Sequence, residues 1–268
     1  MTIAQKHWTN KNTNGALDYI TLKKYSCYWE QTDMDPGSTF TCLHRYEQKY
    51  LLDRSQYDTI SRMIPEFAGE DEFGQATIYS IYYDTDDYIL TKKLFNRSSY
   101  KEKLRLRSYG IPRRGDTVYL ELKKKLKGIS YKQRLPMRFS GIKSFFDLDL
   151  SAYDNYVSSE TNWFLQHYKP LPKFMLWYDR LAFWGIKHKD FRITFDTNIR
   201  WHSDIDYTQE GRGYPLLDKN TWLMELKVER SIPLFLVRQL TRLKIFPVSF
   251  SKHKIAYENL ITKRRIHV

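Results

Sequence analysis

Cysteine is scarce: only Cys27 and Cys42 occur in 268 residues. Neither stands in a CxxC or Cys/His array, which argues against a disulfide scaffold or a zinc site. Long apolar runs are missing too. No stretch approaches the ~20 residues a membrane helix needs, and the N-terminal MTIAQKHWTNKNTNG has no apolar signal core. The expectation is a cytoplasmic chain without a membrane segment. Acidic residues are outnumbered, 31 Asp plus Glu against 44 Lys plus Arg, for a formal charge of +13 and a pI of about 9.5. Such a field favours anionic partners: nucleic acid, an anionic membrane surface, or a multiply phosphorylated small molecule. With 41% hydrophobic and 16% aromatic residues, including 21 Tyr, the chain has the material for a packed core and is no disordered basic tail.

What is abundant is a period-two pattern of cations. In KEKLRLRSYG, Lys103, Arg105 and Arg107 alternate with Leu104 and Leu106, so the cations share one strand face and the leucines the other. VYLELKKKLKG repeats the pattern with Tyr119, Glu121 and Lys123 opposite Leu120 and Leu122, and Lys132 and Arg134 carry it into a third segment. Gly110, Pro112, Gly115 and Gly128 punctuate the connections, which reads as an antiparallel meander. A face that merely meets water mixes in both charge signs, whereas stacked like charges destabilise a sheet unless an anion offsets them.

The flanking segments extend this face. Residues 1–40 read as a lead-in, and 41–268 as one domain. From Phe40 a strand places Arg45, Glu47 and Lys49 together; Ser55 is the expected cap of a short helix over QYDTISRMIPEF. Asp84, Asp86 and Asp87 read as a turn, and a short helix is expected near Tyr88 to Leu94. IKSFFDLDLSAYDNYVSSETNWFLQHYKP reads as a helical insert whose aromatics cover the outer face of the sheet. Arg180 sits in an aromatic strand beside Tyr178 and Ala182, so it must be paired or face a ligand. Arg192, Thr194 and Asp196 share a face, as do Leu223, Glu225 and Lys227. Leu236, Leu240 and Leu243 predict a core-facing helix, and a terminal helix follows Ser251 and Lys252.

Seven or eight strands, several with one cationic and one apolar face, are reconciled by an α+β fold in which an antiparallel eight-stranded β-barrel encloses a cationic lumen and helices cover its outside. A lumen carrying Lys49, Arg105, Arg107, Lys123, Lys132, Arg134, Arg180 and Arg192 suits a chain of phosphates. Phosphoryl transfer asks the protein mainly for positioning and charge neutralisation. Glu225, with Glu47 or Glu121, could hold Mg2+ or Mn2+, which prefer oxygen ligands; the alternative for Glu47 and Glu121 is an ion pair with neighbouring cations.

The ordered segments RYEQKYLL, IYSIYYDT, KLRLRSYG, VYLELKKK with YKQR, WYDRLAF, FRITFDTNI, LMELKV and SFSKHK resemble the polyphosphate polymerase domain of the vacuolar transporter chaperone (VTC) family, within the triphosphate tunnel metalloenzyme (CYTH-like) superfamily, over roughly residues 40–260. The resemblance implies an antiparallel tunnel, Mn2+ or Mg2+, and transfer of the ATP γ-phosphate onto growing polyphosphate. By motif it places Lys49, Arg105, Arg107, Lys123, Lys132, Arg134, Arg180, Arg192 and Lys252 on phosphates, with Arg105, Arg107, Lys123 and Arg180 on the nucleotide's, and Glu225 on the metal. The expected partners are ATP and inorganic polyphosphate or triphosphate, with no nucleic acid. An inorganic triphosphatase, a nucleoside triphosphatase or a non-catalytic polyphosphate-binding protein would use the same residues.

Overall fold

The computed structural model describes residues 39–43, 46–96, 98–126, 129–140, 156–186, 191–207, 212–229 and 231–266. Most of the expected lead-in, Arg45, Gly128 and the first half of the helical insert therefore lie outside the described residues. All described residues belong to one unit, Gly37–Val268. The strands are β1 (Thr39–Leu43), β2 (Tyr46–Leu52), β3 (Ala68–Asp84), β4 (Tyr100–Tyr109), β5 (Thr117–Leu126), β6 (Ile129–Arg138), β7 (Leu171–Gly185), β8 (Arg192–His202), β9 (Tyr214–Pro215) and β10 (Trp222–Val228). The helices are α1 (Arg54–Phe67), α2 (Ile89–Phe95), α3 (Tyr156–Tyr168), α4 (Leu234–Arg242) and α5 (Lys252–Ile266).

All pairings are antiparallel, in the order β1-β6-β5-β4-β3-β7-β8-β10-β2, with β9 added beside β8. The expected meander is β4-β5-β6, and both Gly110 and Gly115 in its first connection take positive φ, 78° and 91°, a conformation natural to glycine. The fold is α+β and antiparallel, but the closed eight-stranded barrel is corrected: the sheet has ten strands, and among the described residues no ladder joins its end strands β1 and β2. Those ends are nevertheless consecutive in the chain, Leu43 and Tyr46 lying three residues apart and so within roughly 11 Å. The sheet must curl until its edges nearly meet.

The outer face is apolar and covered. Leu104, Leu106, Leu120, Leu122 and Leu135 pack with Phe164 of α3. A polar bridge fixes the same helix: buried Glu102 accepts hydrogen bonds from Tyr100 and Tyr168, at 2.7 and 2.8 Å, and Lys124 reaches Glu160 at 2.5 Å. On the other side Tyr50, Leu52, Ile193, Phe195, Met224 and Leu226 bury Ile60 and Ile64 of α1 and Leu236 and Leu240 of α4. The cap of α1 is Asp53, not Ser55: its carboxylate accepts the Gln56 N–H at 2.9 Å while Gln56 Oε1 accepts the Asp53 N–H at 3.0 Å, a reciprocal box. At α2 the N-cap position is Tyr88, and Asp84 at the end of β3 reaches the helix start, accepting the N–H groups of Leu90 and Thr91 at 3.0 and 2.9 Å.

One helix departs from the expected outer layer. Ala256 and Leu260 of α5 pack with Ile78, Tyr82, Phe174, Leu176 and Leu223, which lie on the same face as the cations. The cause is sequence: these inner positions on β3, β7 and β10 are apolar and have to be covered from inside.

Candidate functional site

The strand register brings the expected cations together in rows across the inner face. On β4-β5-β6, Lys103 stands opposite Lys123 and Lys123 opposite Lys132; the next row is Arg105, Glu121 and Arg134; then Arg107 opposite Tyr119. On β2-β10-β8 the rows are Lys49, Glu225, Thr194 and Glu47, Lys227, Arg192. Arg180 of β7 stands opposite Asp196. The curl makes the two groups of rows face one another: Lys123 on β5 is influenced by Glu47, Lys227 and Glu225 at the far end of the strand order.

Glu121 is the hub of the first group. Its Oε2 lies 2.6 Å from Arg105 Nη2 and 3.6 Å from Arg107 Nε, and its Oε1 lies 2.8 Å from both Lys132 Nζ and Arg134 Nη2. Burial works against this carboxylate's charge, yet Arg107 and Arg105, then Lys132 and Arg134, hold its pKa well below the usual value. Tyrosines complete the cradle: Arg105 donates to Tyr82 at 3.2 Å, Arg134 to Tyr109 at 3.0 Å, and Arg134 lies over Tyr119.

Asp196 is the hub of the second. Fully buried, it accepts two bonds from Arg180 and one from Lys252 Nζ at 2.5 Å. Arg180 and Lys252 both lie over the Tyr178 ring, 5.1 and 4.5 Å from its centroid. Although burial raises the Tyr178 hydroxyl pKa, Arg180 and Arg107 bring it below the ordinary value. Sequence reading assigned no role to Asp196 or Tyr178; the signal for Asp196 was its shared face with Arg192.

Glu225 and Glu47 form the third group, with Lys227 Nζ 3.1 Å from Glu225 and 4.0 Å from Glu47, and Lys49 bonded to Glu47. Burial opposes the charges of Glu225 and Lys49, but Lys227 and Arg180 hold Glu225 well below its ordinary value, and Glu225 and Glu47 hold Lys49 above its own. Arg192 pairs with Asp71 across the sheet and lies over Trp184 at 5.0 Å. Among the described residues no three His, Cys, Asp or Glu side chains converge as a ready cation cage, so Glu47, Glu121 and Glu225 do not form one group. Nor is any helix of the described residues long and apolar enough to cross a membrane.

The described strands thus form a curled antiparallel sheet with a cationic inner face. The family model described as VTC domain matches residues 44–261, and the chain belongs to the VTC domain family. Comparison with curated proteins gives no match. Among solved structures it is similar to a candidate adenylate cyclase from Bacillus halodurans, at 13% identity and TM-score 0.48, over 78% of this chain and 96% of that one. It is also similar to PH1819 from Pyrococcus horikoshii, at 12% and 0.42 over 80% and 96%. HpAC1 from Hippeastrum, a candidate adenylyl cyclase described with a dominant triphosphatase activity, matches at 11% and 0.40 over 80% and 95%.

Proposed function

We propose that the protein is a metal-dependent polyphosphate polymerase that transfers the γ-phosphate of ATP onto a growing polyphosphate chain. The observation that carries this reading is the extent of the cationic face: along β4 alone, Lys103 to Arg107 spans about 13 Å, and facing strands supply more, which suits several phosphates in series. In the transfer, a terminal oxygen of the acceptor chain bonds to the γ-phosphorus as the bond to the β–γ bridging oxygen breaks, and ADP leaves. The attacking oxygen is already anionic, so no side-chain nucleophile or base is required. Arg105, Arg107, Arg134 and Arg180 offer forked contacts and Lys49, Lys123, Lys132, Arg192 and Lys252 further charge to the phosphate oxygens, arranged before substrate arrives.

Glu225 and Glu47 suit Mg2+ or Mn2+, since such ions are commonly held by one or two carboxylates together with substrate phosphates. The chemistry such an ion would supply there is positive charge to offset that developing on the phosphates. Glu121 is left out of this set because cations stand within 2.8 Å of both its oxygens, whereas those facing Glu225 come no closer than 3.1 Å. The reading is tested with Glu225→Gln, assayed for ATP turnover with Mn2+ and for metal-free tripolyphosphate binding. Turnover is expected to fall roughly a hundredfold or more with affinity changed only a few-fold. Unchanged turnover would remove Glu225 from the reaction.

A further inference from the structure

Outside the lumen, α4 buries only part of its apolar surface. Leu236 and Leu240 pack into the core, while Leu234, Phe235 and Val237 on the helix, and Phe246 and Val248 in the chain leaving it, are each more than a third exposed. Leu234 and Phe246 reach 63% and 66%. This chain is pinned. The N–H of buried Ile245 donates to the Leu240 carbonyl at 2.8 Å and that of Val248 to the Lys49 carbonyl at 2.7 Å, so the backbone holds Phe246 outward at a fixed place. The Phe235 ring lies 4.9 Å from that of Phe67, whose carbonyl accepts the N–H of exposed Ile186 at 2.9 Å. The apolar surface thus runs on to the end of α1 and the chain leaving β7.

Its charge has one sign. From Ser231 to Tyr257 the chain contains no Asp or Glu. Arg238, Arg242 and Lys244 are all exposed, and among the described residues none of the three forms a salt bridge; the exposed Glu66 stands at the border, next to Phe67. Leu234, Val237, Arg238 and Thr241 follow at helical spacing, which sets apolar and cationic groups on one exposed stripe.

We propose that the α4 face docks the protein on the surface of an anionic lipid bilayer. Leu234, Val237, Phe246 and Val248 enter the boundary between headgroups and acyl chains, and Arg238, Arg242 and Lys244 meet the lipid phosphates, the division of labour of an interfacial amphipathic element. Exposed apolar groups rimmed by cations fit such a surface on both counts. A second copy of the chain fits poorly: a two-fold dimer through this face lays the segment on itself, so its cations meet their own copies with no acid in the segment to pair them. No membrane-spanning helix is needed.

The test is flotation with vesicles of phosphatidylglycerol and phosphatidylcholine, and of phosphatidylcholine alone, with and without tripolyphosphate as a competitor for the lumen. The proteins are wild type, Phe246→Ser, the double variant Arg238→Gln with Arg242→Gln, and a control double variant on the exposed β4–β5 turn, Arg113→Gln with Arg114→Gln. Thermal melts check folding, and light scattering gives the mass in solution. Wild type is expected to bind the anionic vesicles roughly tenfold or more above the neutral ones, unaffected by tripolyphosphate. Phe246→Ser and the α4 double variant are each expected to weaken this binding roughly tenfold, and the control to leave it unchanged. No binding to anionic vesicles, an equal loss in the control, or full binding by Phe246→Ser would overturn the proposal. Release by tripolyphosphate would move the lipid contact to the lumen and overturn it too, as would a dimer that Phe246→Ser dissociates, which would give the face to a second copy.

Discussion

Arg180 and Asp196 meet through two parallel hydrogen bonds, Nε to Oδ1 at 2.6 Å and Nη2 to Oδ2 at 2.8 Å, on a carboxylate with no exposed surface. Lys252 adds a third bond to the same group, so this carboxylate fixes the position of two cations that face the lumen. Removing one partner of such a buried set leaves unpaired charge in a dry environment. Asp196→Asn is therefore expected to lower stability by about 3–5 kcal/mol, read by urea denaturation. A loss below about 1 kcal/mol would mean that water reaches the group.

Acid should act through the same carboxylates. In the unfolded chain Asp and Glu titrate near 4, whereas in the fold Asp196, Glu121 and Glu225 all keep their charge to lower pH. Between the folded and unfolded values the unfolded chain binds more protons, so stability falls as pH falls through that window. Denaturation midpoints are expected to fall steeply as pH drops below about 4. A midpoint that rises on acidification would contradict the assigned ion pairs.

How far the sequence foretold this depends on whether a feature is local. Alternation is local, and it placed Lys103, Arg105, Arg107, Lys123, Lys132 and Arg134 on one face, where the register brings them together. Which carboxylate holds which cation depends on the register between neighbouring strands, which alternation within one strand does not fix, so the roles of Glu121 and Asp196 as hubs were not legible. At β7–β8 the register also shifts between Trp177 and Asp179, near Asn198 with its φ of 50°; one extra residue flips every later side chain to the other face. This is why Ile199 and Trp201 pack on the inner side with α5, a placement simple alternation from Arg192 does not give. The Asp53 cap was missed for a smaller reason: Ser55 is an equally good cap former by type, and here it donates to Asp53 instead.

Alkali should weaken binding of the polyanion. In the ligand-free protein, burial lowers Lys103 and Lys132 to about 7, aided for Lys103 by Lys123 and opposed for Lys132 by Glu121. A bound phosphate chain favours their charged forms, so above that pH binding takes up protons and affinity falls as pH rises. Metal-free affinity for long-chain polyphosphate is expected to decline steadily from about pH 7 to about pH 9. A flat profile would mean the lysines keep their protons without ligand.

The most direct measurement is incubation of the protein with ATP and Mn2+ or Mg2+, with products resolved on a gel that displays polyphosphate while free phosphate is assayed in parallel. A polymer ladder with ADP, absent in Arg105→Ala and Glu225→Gln, is the predicted result. ATP consumed to free phosphate without polymer, or no ATP turnover with either metal, would contradict the polymerase account.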